Sequence, residues 1–453
     1  MFIKYLSIIA LFLITACSQN DSSTEQPLKI YFTNDSGKSA FSQPISGLNN
    51  DEIDIFYLGK SVFKTPWVTA PSITTARDGL GPLFNANTCR NCHPGNGAGV
   101  AVKPNGTANF SLLIRLSHKE SNNTKLLERN GFEPDSTYGA QLSVNGSINT
   151  PAEGQFNVTY KDEQGKYPDG TTYMLRSPTY TLKNLKYGAL DKETIFVPRI
   201  GSALIGLGLI ERISDKDILA YEDVDDTNKD GISGKANYAF DPESKSTRLG
   251  KFTWKASATS VKHQSAAAAH NDMGLSNPLF PWHNCTKVQK GCLKEAALSE
   301  HEIDLPAYRL DAVAFYLSNL AIPKQREAGS HKEGKKLFER LNCAACHVPS
   351  YTTSDGIKIK PYSDFLVHDM GEQLADGRSE FLANGNEWRT APLWGMGLYK
   401  KVSGEANYLH DGRARSIEEA ILWHGGEAKQ SKKDFMALDR PSREKILDFL
   451  NSI

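Results

Sequence analysis

The sequence predicts a mainly α-helical chain of two similar modules, the first interrupted by a β-rich insertion. Three observations lead there. The stretches "GPLFNANTCRNCH" and "GKKLFERLNCAACH" repeat one pattern, Leu-Phe five or six residues ahead of Cys-x-x-Cys-His. Each is followed by a similar amphipathic stretch, "AVAFYLSNL" (312–320) and "KILDFLNSI" (445–453), that would close its module as a helix. Between them, residues 155–183 alternate apolar and polar around "YPDGT", the pattern of strands joined by turns. At 453 residues the chain is also too long for one ordinary core.

The first segment, residues 1–17, stands apart from the fold. "MFIK" is a short basic start, "YLSIIALFLI" an apolar run, and "TAC" follows. The run is too short to span a bilayer as a mature helix and has the shape of an export signal. Ile14-Thr15-Ala16-Cys17 resembles a bacterial lipobox, with Cys17 the residue to be lipidated. Lipidation would tether a soluble body to a membrane by its anchor alone. Ser18 after that cysteine resembles lipoproteins sent to the outer membrane, so a periplasmic, lipid-anchored location is expected. Residues 18–50 are polar, rich in Ser, Asn and Asp, and read as a flexible tether. Lys plus Arg and Asp plus Glu both number 52, so no basic excess argues for nucleic acid.

Export fixes the redox setting, because thiols outside the cytoplasm tend to pair. Setting Cys17 aside, Cys285 and Cys292 close a short loop and are expected as a structural disulfide. The other four lie in the two motifs. Cys-x-x-Cys-His is the attachment signature of c-type haem. Each cysteine sulfur forms a thioether to the porphyrin, and the histidine sits under the iron. A thioredoxin-like redox pair needs neither the histidine nor a second copy. A zinc site needs further ligands from elsewhere. Two copies in an exported chain favour haem, with Cys89, Cys92, Cys343 and Cys346 as attachment points and His93 and His347 as proximal ligands. The modules are then cytochrome c-like. The first spans 51–325 with its β-rich insertion, the second 326–453, and the joint lies near "AIPKQREAGSHKEG".

Two further stretches carry a chemical reading. "DVDDTNKDGISG" (223–234) spaces Asp226, Asn228 and Asp230 as alternate oxygen ligands before a glycine, which suits calcium. Asn237 stands where an EF-hand supplies its bidentate glutamate, so the full motif fails, and a solvated Asp/Asn-rich turn fits equally well. In "SIEEAILWHGG", Ser416 and Glu419 form a capping-box pattern, Gly425-Gly426 stop the helix, and His424 is its last residue.

With both motifs placed, the chain resembles the bacterial di-haem cytochrome c peroxidase superfamily, and within it the branch of di-haem oxidoreductases. The resemblance runs from about residue 50 and rests on "GLGPLFNANTCRNCH", "WKASATSVKHQSAAAAHNDMG", "EWRTAPLWGMGL" and "YLHDGRARSIEEAILWHGGEA". It implies a haem-dependent oxidoreductase of cytochrome c peroxidase type. Electrons would enter at one haem from a small cytochrome c or copper protein, and peroxide would react at the other. Trp254 matches the tryptophan between the haems, Gln264 the glutamine over the peroxide site, and Asp272 the acidic residue there. The family's usual glutamate is an aspartate here, at slightly shorter spacing. Splitting a peroxide moves a proton from one oxygen to the other, which a carboxyl group can carry. Glutamine can orient peroxide or water without titrating.

The resemblance also makes His424 the second ligand of the His347 haem, where relatives carry Met or Tyr. A histidine pair lowers the potential relative to His/Met. His410, Met370 and Met396 are the rivals for that position, and the sixth ligand of the first haem is left open. His118, His263 and His270 read as ordinary hydrogen-bonding or exposed residues. Two other functions fit the same motifs: a non-enzymatic di-haem electron carrier, and an oxidase of another protein or an organic substrate.

Overall fold

The computed structural model describes residues 28–103, 106–299, 301–326 and 330–453. The export signal and Cys17 lie outside the described residues. Among them, no helix is long and apolar enough to cross a membrane.

The described part of the expected tether, residues 28–50, is ordered against the rest. From residue 28 it is folded onto the body: β1 (Phe32–Thr33) pairs in parallel with a later strand at Ile322–Pro323. Ala40 and Phe41 are fully buried, and Asn96 Nδ2 donates to the Phe41 carbonyl at 2.9 Å. The polar composition of this segment hid a few apolar side chains that are enough to dock it. α1 (Asn50–Lys64) follows, started by a reciprocal cap between Asn49 and Glu52. Next come β2 (Leu112–His118), β3 (Gln155–Lys166), β4 (Thr172–Lys183) and β5 (Thr194–Ile200). Then come α2 (Val261–Met273), α3 (Ala307–Ser318), β6 (Ile322–Pro323) and α4 (His331–Arg340). β7 (Val367–Asp369), β8 (Glu387–Arg389), α5 (Ile417–Trp423) and α6 (Arg440–Ser452) complete the elements that matter for the site.

The expected mainly α, cytochrome c-like fold is overturned. The structure is only 30% helical and 20% strand. Among the described residues every sheet is a two-stranded pair. Each motif occupies a single short turn, Cys89–Cys92 in one case and Cys343–Ala345 in the other. Long irregular segments between elements satisfy their backbone through side-chain contacts, and hydrophobic periodicity cannot register those.

What the repeat does encode is a pair of helix crossings. α1 packs on α3 through Phe56, Gly59, Val62 and Phe63, one face at helical spacing. α4 packs on α6 in the same way, through Gly334 and Phe338. Both crossings turn on a glycine. A Cβ on Gly59 would strike the Ala312 carbonyl oxygen, and one on Gly334 the Lys445 carbonyl oxygen. The helices come too close there for any side chain.

The β-rich stretch is a long hairpin, β3 and β4, paired from Gln155↔Lys183 to Lys166↔Thr172. It does not belong to one half of the chain. Phe156 and Val158 near its base pack with Leu112, Ile114 and Leu116 of β2. At its tip, Tyr167 Oη donates to Glu418 at 2.7 Å and Arg443 donates to Asp169 at 2.8 Å. Arg176 on its flank donates to the carbonyls of Gly412 and Arg413 at 2.9 and 3.0 Å. The largest core likewise ignores the expected joint and takes in residues from Tyr31 to Val402.

Cys285 and Cys292 are bonded, with Cα atoms 5.7 Å apart. Gln289 in their loop donates to Glu153, whose other oxygen takes the Ser143 amide at 2.5 Å. Glu153 is only 2% exposed, and burial pushes its carboxyl up to about 8 from an ordinary 4.5. The folded chain thus holds this proton more tightly than the unfolded one. The resulting stabilisation is complete below pH 4.5 and is lost as pH rises through 8. A tenfold change in proton affinity is worth about 1.4 kcal/mol, so a fall of a few kcal/mol is expected across that window. Urea midpoints should decline from pH 5 to pH 8 in the parent chain and much less in Glu153→Gln. Equal slopes would remove Glu153 as the cause.

Candidate active site

One continuous cavity of about 370 Å³ runs through the core, and both Cys-x-x-Cys-His motifs line it. Trp254, Gln264, Asp272 and His424 line it too. The structure therefore gathers every residue selected from sequence for attachment, ligation and catalysis at one place.

The three histidines are prepared alike. His93 Nδ1 lies 2.8 Å from the Ser202 carbonyl, His347 Nδ1 2.9 Å from the Tyr362 carbonyl, and His424 Nδ1 2.7 Å from the Ala420 carbonyl. Each bond fixes a tautomer with Nδ1 protonated and leaves Nε2 as a lone-pair donor, the usual arrangement of a metal-ligating imidazole. Burial lowers the proton affinity of all three, His347 to about 4. The His424 imidazole lowers His347 further. α5 delivers His424. Ser416 Oγ accepts from the Glu419 amide at 3.0 Å and starts the helix, and His424 caps its end. The return half of the expected capping box goes instead to Arg415, whose amide donates to Glu419 at 2.8 Å.

The four thiols are unpaired in the structure. Burial raises all of them, Cys89 and Cys343 to about 12, and the Asp272 carboxylate adds to the effect at Cys89 and Cys92. A thioredoxin-type pair needs a lowered thiol, so that reading loses ground. The donor set fits a haem at each motif: two thiols, one neutral imidazole and largely apolar walls. Phe338, of the Leu-Phe pair before the second motif, is one such wall, 6.2 Å from the His347 ring. Its counterpart Phe84 packs into the main core instead.

α2 presents Val261, Gln264, Ser265, Ala268 and Asp272 to the cavity, a single face at helical spacing. Gln264 and Asp272 are separated by about 12 Å along the axis at 1.5 Å per residue, so they serve different parts of the site. Asp272 Oδ1 accepts from Gln141 at 3.0 Å and lies 3.6 Å from Arg115. Trp254 Nε1 donates to the Ile200 carbonyl at 2.8 Å. Gly201, the next residue, abuts the His93 ring. The indole also packs against a cluster that includes Trp388, Ala420 and Trp423. Trp254 thus adjoins the His93 surroundings and lines the same cavity as His424.

The remaining expectations fall out differently. Met370, Met396 and His410 all line the cavity. His118 is tied to Asp191 at 3.1 Å, His263 to Thr259 at 3.2 Å, and His270 stacks on Phe280, all away from it. In the 223–234 loop, Asp226 accepts from the Gly231 amide and Asp230 from the Ile232 amide, while Asn228 Oδ1 accepts from the Asp230 amide.

Sequence reasoning missed a buried charge network on the cavity wall. Lys255 is fully buried and sits 4.1 Å over the Trp388 ring, and Arg199 sits 4.8 Å from the same ring. Arg199 pairs with Asp376 at 2.6 Å. Trp388 stacks on His410, with ring centroids 3.8 Å apart. His410 is 4% exposed, and its ring makes no hydrogen bond among the described residues. Also missed was His368, held between Asp364 and Glu427 beside Cys346. Asp364 stands only four residues before it, but nothing in "VHDMG" tied it to Glu427, 59 residues further on.

Residues 21–453 match the family described as "Di-haem oxidoreductase, putative peroxidase". The chain belongs to this family of di-haem oxidoreductases, and membership implies two haems. No curated protein sequence matches the chain. Among solved structures, it is similar to hydrazine synthase of Kuenenia stuttgartiensis pressurised with xenon, at 12% identity and a TM-score of 0.32. That alignment covers 99% of this chain and 100% of the other, and at this TM-score it supports no inference.

Proposed function

We propose that the protein is an exported, lipid-anchored peroxidase of c-type haem. One haem would be held by Cys89, Cys92 and His93, the other by Cys343, Cys346, His347 and His424. The observation that carries the reading is the single cavity that both motifs and Trp254 line together. When bound, the haems supply electron storage and a peroxide-reactive iron. Reducing hydrogen peroxide to two waters takes two electrons and two protons. Electrons from a small cytochrome or copper protein would arrive on the His347 side, with Trp254 on their path. Asp272 moves a proton at the thiol edge of the first site, and Gln264, two turns away, orients peroxide or water. Intact-mass measurement of protein matured in a host competent for cytochrome c assembly should show two haem additions. One or none would overturn covalent attachment at both motifs.

His424→Ala should abolish one low-spin bis-histidine signal in electron paramagnetic resonance. An unchanged signal, with a matching loss in His410→Ala, would transfer the ligand role to His410. A carrier function would need both irons six-coordinate, and His410, with its free ring in the same cavity, is the side chain that could close the second. A high-spin signal together with peroxide turnover would exclude that carrier. Turnover of a protein or organic substrate without peroxide reduction would favour the oxidase.

A further inference from the structure

Asp364, His368 and Glu427 form a buried cluster that the peroxide chemistry does not use. His368 lies on β7 and is 3% exposed. Its Nε2 is 2.8 Å from Asp364 and its Nδ1 2.6 Å from Glu427. Asp364 also accepts the Leu366 amide at 3.0 Å. Glu427 accepts the amides of Ser233 at 3.0 Å and Asp369 at 2.9 Å. Burial alone would oppose a charged imidazole. The two carboxylates outweigh it and hold the ring protonated well above its ordinary range. Two carboxylates and one imidazolium leave one net negative charge.

The place of the cluster gives it a role. The Asp364 amide donates to the Cys346 carbonyl at 2.9 Å, and Cys346 Sγ is 3.8 Å from His368 Nδ1. At the other end, Glu427 is the third residue after His424, and a Cβ on the intervening Gly426 would strike the Asp369 carbonyl oxygen. The cluster therefore fastens the segment of Cys346 and His347 to the segment of His424. Cys346, Asp364 and His368 also present ligand atoms within 4.8 Å of one another, as a small metal ion would require. Both ring nitrogens already face carboxylates, so the imidazole could ligate only by giving one up.

We infer that Asp364, His368 and Glu427 are positioning residues of the C-terminal haem, fixing the two segments that carry its axial histidines and laying one negative charge beside its attachment edge. The inference rests on the proposed assignment of His347 and His424 to that haem. A nearby negative charge favours the oxidised, more positive iron and so lowers the reduction potential.

Glu427→Gln and Asp364→Asn each remove one negative charge while keeping the side-chain shape, and Glu427→Asp keeps the charge. Midpoint potentials of both haems should be measured by spectroelectrochemistry on the full-length holoprotein. In the two neutral variants the C-terminal haem is expected to rise by at least the equivalent of a tenfold shift in a one-electron equilibrium, about 59 mV. The N-terminal haem of the same molecule should move less than half as far, and Glu427→Asp should stay near the parent. Unchanged potentials, or equal shifts at both haems, would overturn the inference while leaving the functional reading intact. Absence of a haem at Cys343 and Cys346 in the parent protein would overturn the functional reading itself.

Discussion

Replacing Asp272 by Asn is expected to slow peroxide reduction about a hundred- to ten-thousand-fold, the usual cost of losing a proton-transfer group, with both haems still attached. Asparagine keeps the shape of the side chain and can still accept from Gln141, which now donates at 3.0 Å. It cannot carry a proton. The substitution also leaves Arg115, 3.6 Å from the carboxylate, without its counter-charge. A purely structural role would therefore appear as lost stability or lost haem rather than lost turnover. Steady-state kinetics beside intact mass and a denaturation curve separate the two. Parent-like turnover in a haem-loaded Asp272→Asn would remove this residue from the chemistry.

The second large effect concerns stability. Asp376→Ala should destabilise the fold by about 3–5 kcal/mol, the range for breaking a buried ion pair from one side. Asp376 faces Arg199 at 2.6 Å and Lys255 at 3.8 Å, and Lys255 has no exposure at all. The Lys255 ammonium keeps two carbonyl partners, Asn384 at 2.7 Å and Glu387 at 2.8 Å, and Arg199 keeps Glu380 at 3.6 Å. Those groups do not replace the missing charge. Trp388 rests against both cations and stacks on His410, so the damage should reach the cavity wall. Chemical denaturation of Asp376→Ala and Asp376→Asn measures the loss. A change under about 1 kcal/mol, the scale of a surface pair, would mean that the remaining partners suffice.

Much of the site could be read from the chain because its chemistry is local. Cys89, Cys92 and His93 are close in the chain, as are Cys343, Cys346 and His347, and their spacing alone reads as the attachment signature of c-type haem. Gln264 and Asp272 were legible through the family resemblance alone, which did not show the roughly 12 Å of helix axis between them. His424 was legible through the same resemblance, with a cap and a glycine pair placing it at a helix end. The rest is long-range. Asp376 meets Arg199, Glu427 meets His368, and Gly334 meets the carbonyl of Lys445, and no local pattern records such meetings. The fold class failed for a related reason. Amphipathic stretches announced the helices of two crossings, while the loops that make up much of the molecule carry no period. Phe41, buried in a segment with the composition of a tether, was lost in the same way.

The hairpin of β3 and β4 has a consequence for how the molecule assembles. Its tip is anchored by partners 251 and 274 residues further along, Glu418 for Tyr167 and Arg443 for Asp169. Loops of that length close late, because their entropy must be lost before any contact rewards it. Until the end of the chain arrives, the ribbon stands with two open edges, a template on which a neighbouring polypeptide can add a strand. Lys161, Asp162, Glu163 and Lys166 on one strand, and Arg176 and Lys183 on the other, place charge along those edges. They guard a nascent chain against its neighbours, a service distinct from any they perform once the tip has docked.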